Sequence, residues 1–238
     1  MYRLIPLLDR ILNFVVMIVC ILLLLIGMYS FADNIWLYQH AVDKSILNYK
    51  PDLDWPLEDQ TVSPYQVAWL HIFNTDIDYP VMKGKDNFEY LNKDPKGDFS
   101  LSGSIFLDFR NHSDFSDSYS LLYGHHMQCG AMFGALDRFQ SEEYFEGHRT
   151  GRLVTSRKVF DLELFAVALS EETEQELFDP VGRTLEDIHT YLTAHSVIYN
   201  PPKEGKQILA MSTCSGEHFT QRLIVFGTIQ DHIEKKKE

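Results

Sequence analysis

Three cysteines in 238 residues are too few for a fold built on disulfides, and Cys20 lies inside an apolar run, which leaves Cys129 and Cys214 for the rest of the chain. Basic charge is also short. The 21 Lys and Arg stand against 34 Asp and Glu, a net charge of −13. A nucleic-acid partner needs a basic footprint to neutralise phosphates, so that class is excluded. After residue 31 no second long apolar run occurs, and no internal repeat or low-complexity segment appears. A multi-pass membrane protein and a repeat array are therefore excluded as well.

What is present is a globular composition, 45% hydrophobic and 23% charged, preceded by one strongly apolar segment. Residues 11–31 carry no charge and a single amide, Asn13. About 20 apolar residues rising ~1.5 Å each span a hydrocarbon core of ~30 Å. Arg3 and Arg10 precede the run and Asp33 follows it, so the positive-inside rule puts the N-terminus in the cytoplasm and residues 34–238 outside. A cleaved signal peptide would have a shorter apolar region and a small-x-small site; Ser30-Phe31-Ala32 is a poor one. The reading is a single uncleaved anchor in the cell membrane, and two thiols on its outer side call for an explanation.

The organisation expected is a cytoplasmic N-terminus (1–10), an anchor (11–32), a juxtamembrane helix and linker (33–64), a core domain (65–230) and a charged tail (231–238). Trp36, Ala41 and Ile46 give 34–48 helical spacing, and the stretch from Lys50-Pro51 to Ser63-Pro64 reads as loop. Candidate strands, dense in Val, Ile, Leu, Phe and Tyr, lie at 66–72, 76–82, 103–108, 119–123, 152–156, 158–169, 207–213 and 222–229. Helices are expected at 132–145, with Phe133, Leu136, Phe139 and Tyr144 on one face, and at 184–195, where Thr184 and Asp187 form a capping-box pattern. About eight strands with few helices point to a mainly β fold, a closed or nearly closed barrel.

Three residues could carry chemistry together. Cys214 ends an apolar strand, Arg222 opens the next, and His125 follows the strand that ends at Tyr123, so all three can converge at one rim. A thiolate is a nucleophile, an imidazole moves protons near neutral pH, and a guanidinium holds a fixed charge against a developing oxyanion. Singly, each has an ordinary reading: a buried apolar cysteine, a turn histidine, a salt-bridged arginine. A zinc site drawn from His125, His126, Cys129, Cys214 and His218 lacks the Cys-x-x-Cys spacing of structural zinc, and no metal or other cofactor is implied.

Ser212-Thr213-Cys214 with Arg222 on the next strand, and Tyr123-Gly124-His125-His126 upstream, resemble the class B sortases, cell-surface transpeptidases of Gram-positive bacteria. Asp78-Tyr79-Pro80-Val81, Asn87 to Leu91, Gly103 to Asp108, Phe109-Arg110-Asn111 and Met132-Phe133 extend the likeness over about residues 66–229. The resemblance implies an eight-stranded sortase-type barrel with N-terminal helices and a helix in the long connection before the cysteine strand. It implies that Cys214 attacks the threonine carbonyl of a C-terminal sorting signal, that His125 is the general acid/base and that Arg222 stabilises the oxyanion. Tyr123, Ser212, Asn87 and Leu91 match positions lining the sorting-signal groove. Implied partners are surface proteins bearing the signal and, as acceptor, a peptidoglycan precursor amine. A pilin polymerase, with a lysine as acceptor, shares this chemistry. From another class, a membrane-tethered binding protein with an inactive barrel would lack a working Cys214. Cys129 has no role in the resemblance.

Overall fold

The computed structural model describes the backbone of residues 4–41, 44–57, 61–127, 130–171, 174–202, 207–214 and 221–233, and the side chains of these apart from 4–8, 36–41, 44, 175–176 and 214. The chain divides into two compact units, residues 1–42 and 43–238.

The first unit is one helix, α1 (Leu4–Ala41). Within it Asp9–Ile35 is long and apolar enough to cross a membrane. Side chains from Ile11 to Phe31 are apolar on every face and exposed, and water does not accommodate such a surface. The helix runs unbroken past Asp33, where the sequence reading separated an anchor from a juxtamembrane helix. No Pro or Gly lies between Asp33 and Ala41 to stop it.

The second unit is a barrel. Its strands are β1 (Gln66–Ile72), β2 (Asp78–Lys83), β3 (Ile105–Leu107), β4 (Tyr119–Tyr123), β5 (Thr150–Thr155), β6 (Val159–Glu171), β7 (Ser196–Tyr199), β8 (Gln207–Cys214) and β9 (Gln221–Asp231). They pair in the order β5-β1-β2-β3-β4-β8-β9-β6, and the β5–β6 pairing closes the ring at eight strands. Closure removes the exposed sheet edge. Strand β7 is a ninth, added to the far half of β6. Helical side chains, Leu177, Ile188, Tyr191 and Leu192, cover the outer face of that half and explain the burial along β6. Asp161 and Glu163 alternate with buried Leu162 and Leu164, but from Leu164 to Ala168 both faces are covered.

Helix α4 (Leu185–His195) lies in the β6–β8 connection, as expected there. The Thr184 side chain accepts from the Asp187 amide, and the Asp187 carboxylate accepts from the Thr184 amide, closing the capping box. Its Ile188, Tyr191 and Leu192, with Leu177 of α3 (Gln175–Phe178), pack on Tyr119, Leu121, Ile208, Ala210, Ile224 and Phe226. Burying Ile188 and Leu192 contributes about 1.5–3 kcal/mol each.

The expected helix at 132–145 is two pieces. Phe133–Gln140 is a 3-10 helix, Ser141 is extended, and a short α2 (Glu142–Gly147) follows. Phe133, Leu136 and Phe139 recur every third residue, which suits a 3-10 helix as well as an α-helix. Phe145 takes the buried place expected of Tyr144, which instead stacks on His148 at 3.8 Å. The described parts of the 50–64 segment, 50–57 and 61–64, are loop but not a free linker. Leu57 is buried and its amide donates to the Thr155 carbonyl at 2.8 Å. Lys50 and the Trp69 indole both donate to Asp78, at 2.6 and 2.7 Å.

Candidate active site

The barrel brings three chain ends to one rim through register. Strands β4 and β8 run parallel with Tyr123 opposite Ser212, and the Gly124 amide donates to the Ser212 carbonyl at 3.2 Å. Two residues beyond these partners stand His125 and Cys214. Strands β8 and β9 are antiparallel, and Cys214 is the register partner of Arg222. Arg222 in turn pairs with Ser170 of β6. Positions 208 and 210 of β8 lie on the sheet face on which α4 packs. The residues after Cys214, 215–220, lie outside the described residues.

Gly124 is required where it stands. A Cβ there would meet Ile105 Cδ1 at 2.4 Å and the Phe133 ring at 2.8 Å, both in the core. Gly124→Ala is expected to cost about 1–3 kcal/mol of stability through overpacking, read as a fall in thermal midpoint. An unchanged midpoint would mean that the close approach is not real.

His125 is half-buried, and its Nε2 lies 2.7 Å from the Leu91 carbonyl. A carbonyl only accepts, so Nε2 carries the proton and Nδ1 is the basic nitrogen of the neutral ring. That carbonyl is itself fixed. Leu91 ends the 3-10 turn Glu89–Leu91, whose Glu89 amide donates to Asp86 and whose Glu89 carboxylate accepts from the Lys85 amide and from Lys93. Gly103, at φ +58°, passes under it so closely that a Cβ would lie 2.4 Å from the same oxygen. His126 turns elsewhere, with Nε2 2.6 Å from the Asp137 carboxylate. The adjacent imidazoles therefore serve different partners, and Cys129 and His218 lie outside the described residues.

Asn87 and Tyr123 are brought together around a carboxylate to which the sequence reading gave no role, and Leu91 joins Tyr123 on a common apolar cluster. Asp108 follows β3 and is fully buried. Its Oδ1 accepts from the Arg110 amide and Nε at 3.0 and 2.9 Å. Its Oδ2 accepts from Arg110 Nη2 at 2.8 Å, Asn87 Nδ2 at 2.9 Å and the Tyr123 hydroxyl at 3.2 Å. Arg110 reaches on to the Phe178 carbonyl and the Asp179 carboxylate, at 2.7 and 3.0 Å, tying the β6–β8 connection to the same point. Leu91 and Tyr123 also pack against Met82, Tyr90 and Phe106. The Ser212 hydroxyl is buried and finds no protein hydrogen-bond partner among the described residues. An Asp-x-Arg pair directly after a strand was the available sequence signal for Asp108.

The electrostatics follow from these contacts. Burial, then the nearby Asp108 charge, push the Tyr123 phenol well above its usual range, so it stays protonated and donates. Burial pushes Asp108 upward, but the Arg110 and Asn87 hydrogen bonds outweigh it and hold the carboxyl below its ordinary value. Asp78, held by His71, Lys50 and Trp69, and Asp117, held by His112 and Asn111, are lowered against burial in the same way. A depressed folded-state pKa gives stability that is complete above the unfolded value, about 3.9, and lost as pH falls through the folded value. The urea midpoint is therefore expected to decline as pH is taken from about 5 to 3, and less steeply in Asp108→Asn. A flat midpoint over that interval would contradict these assignments.

The family model described as Sortase domain matches residues 70–230. Sortase B of Listeria monocytogenes is 32% identical over 200 residues, covering 80% of this chain and 80% of its own. Sortase B of Staphylococcus aureus is 28% identical over 170 residues, 68% of this chain and 69% of its own. Among solved structures, a Streptococcus pyogenes class B sortase involved in pilus biogenesis superposes with a TM-score of 0.66 at 34% identity, covering 71% of this chain and 94% of that one. A closed eight-stranded barrel with one added strand, a matching domain over two thirds of the sequence and this set of relatives agree: the chain belongs to the class B sortases, and it is a cysteine transpeptidase.

Proposed function

We propose that Cys214 is the nucleophile of this transpeptidase, that His125 moves the protons and that Arg222 stabilises the oxyanion. The observation that carries this reading is register: His125 and Cys214 follow partnered positions on parallel strands, and Arg222 is the partner of Cys214. Sortases act on proteins bearing sorting signals and join them to a cell-wall precursor amine. In this chain the Cys214 thiol passes its proton to His125, the resulting thiolate adds to the carbonyl of the signal's threonine, and the oxyanion forms beside the Arg222 cation. The tetrahedral adduct collapses with cleavage of the C–N bond. His125 gives its proton to the departing amine. An acceptor amine then attacks the thioester, loses a proton to His125 and regenerates Cys214. Asn87, Leu91, Tyr123 and Ser212 line the groove that holds the signal.

The substrates are surface proteins with a C-terminal signal, and the acceptor is the peptidoglycan precursor. The apolar α1 is a single-pass anchor, with the barrel outside the membrane, which the Arg3, Arg10 and Asp33 asymmetry supports. A second reading has a specific observation behind it. The S. pyogenes relative involved in pilus biogenesis is 34% identical, which favours a pilin lysine as acceptor. A peptide library with both acceptors supplied, read by mass spectrometry, tests the two together. Cleavage after threonine with transfer to the precursor amine supports the first reading, and transfer to the lysine peptide supports the second. Cleavage at unrelated bonds sinks both.

A further inference from the structure

We propose that Asp108 is a positioning residue that sets the hydrogen-bond polarity of the groove wall, making the Tyr123 oxygen an acceptor for a substrate backbone N–H. The inference rests on the reading that Tyr123 and Asn87 line the sorting-signal groove.

The buried carboxylate offers acceptors only, and all five of its neighbours are donors. Tyr123 must therefore point its one proton inward. Burial and the Asp108 charge oppose ionisation of the phenol, so the proton stays on the oxygen. What the hydroxyl presents outward is a lone pair. Asn87 is constrained by the same group. Its Nδ2 donates to Asp108 while its Oδ1 accepts from the Phe109 amide at 2.9 Å, which fixes the amide orientation and leaves one N–H to donate outward. The wall thus offers one acceptor and one donor, the complement of an extended peptide's N–H and C=O. Arg110 holds the carboxylate in a two-pronged grip and anchors it to Phe178 and Asp179 of the β6–β8 connection.

In Asp108→Asn the Asn87 amide stays oriented by the Phe109 N–H, so the contribution that is lost runs through Tyr123 and must disappear when the hydroxyl does. In the full chain with a sorting-signal peptide, Tyr123→Phe is expected to raise KM about fivefold, one hydrogen bond's worth. Asp108→Asn, whose amide can turn a donor toward Tyr123, is expected to raise KM about fivefold to tenfold with kcat within about twofold. In the Tyr123→Phe background the same change is expected to add less than about twofold. Independent, multiplying effects, or a kcat loss that persists in the Tyr123→Phe background, would overturn the proposal, because a structural role alone predicts those. Arg110→Lys keeps the carboxylate but loosens its grip, and it serves if Asp108→Asn does not fold. Coupling to Tyr123→Phe of threefold or more is expected there, and additivity overturns the proposal equally. Wild-type protein that turns over no sorting-signal peptide would instead overturn the reading of the groove itself.

Discussion

Cys214→Ala is expected to reduce thioester formation and transfer to background, a loss of at least ~10⁴-fold, while the thermal midpoint stays close to that of the parent. The size follows from the role. Without a nucleophile the threonine carbonyl must be attacked by water or directly by the acceptor amine, and neither is activated by the covalent route. Stability should survive because the barrel is closed by backbone pairing, with 214 at the very end of β8, where the pairing to β9 terminates. A variant that keeps more than about a hundredth of parental turnover would remove Cys214 from the mechanism. An inactive tethered barrel predicts no difference between the two proteins.

His125→Gln is expected to lower kcat by about 10²–10⁴-fold with KM little changed. Glutamine keeps a donor for the Leu91 carbonyl, which is the imidazole's hydrogen bond at 2.7 Å, and it cannot exchange a proton near neutral pH. The substitution therefore separates holding the loop from moving the proton. The limb of the kcat profile that His125 controls should flatten. A loss below tenfold with the profile intact would leave His125 as a structural support of the Leu91 turn. A large KM increase without a kcat change would assign it to binding.

Much of this was legible before the structure. Runs dense in β-branched, aromatic and leucine residues located eight strands, because barrel strands bury at least one face against the core. The boundaries of β1 and β4 coincide with the expected ones. Strand β7 was not legible. Its four residues, SVIY, follow α4 without a turn residue between them, and none is buried. It exists because β6 is long enough to offer an unpaired edge once β5 has ended. The 132–145 segment misled for a definite reason. Apolar residues spaced by three fit both kinds of helix, and the left-handed Met132 and extended Ser141 that bound the first piece carry no sequence signal.

The candidate site divides in the same way. Cys214, His125 and Arg222 were recognisable because their chemistry is rare at strand ends taken together, and the sheet register brings the three chain positions to one rim. Asn87 and Tyr123 gather round Asp108, whose importance comes from full burial with five donors, and burial of one particular carboxylate is a tertiary property. The partner that the structure gives the His125 ring is a backbone carbonyl, which no residue type encodes. Leu91 contributes its main chain, positioned by the Glu89 turn and by Gly103, rather than an aliphatic side chain chosen for chemistry.

The central claim is that the acyl group rides on Cys214. The three cysteines fall in separate tryptic peptides, 11–44, 111–138 and 207–222, so the site of acylation can be read directly. The measurement is peptide mass mapping of the parent protein after incubation with a sorting-signal peptide and no acceptor amine, with an acid quench, conditions under which the thioester should persist. The account predicts an added mass equal to the signal's fragment ending in threonine, on peptide 207–222. The same mass on 111–138, which carries Cys129, would contradict it.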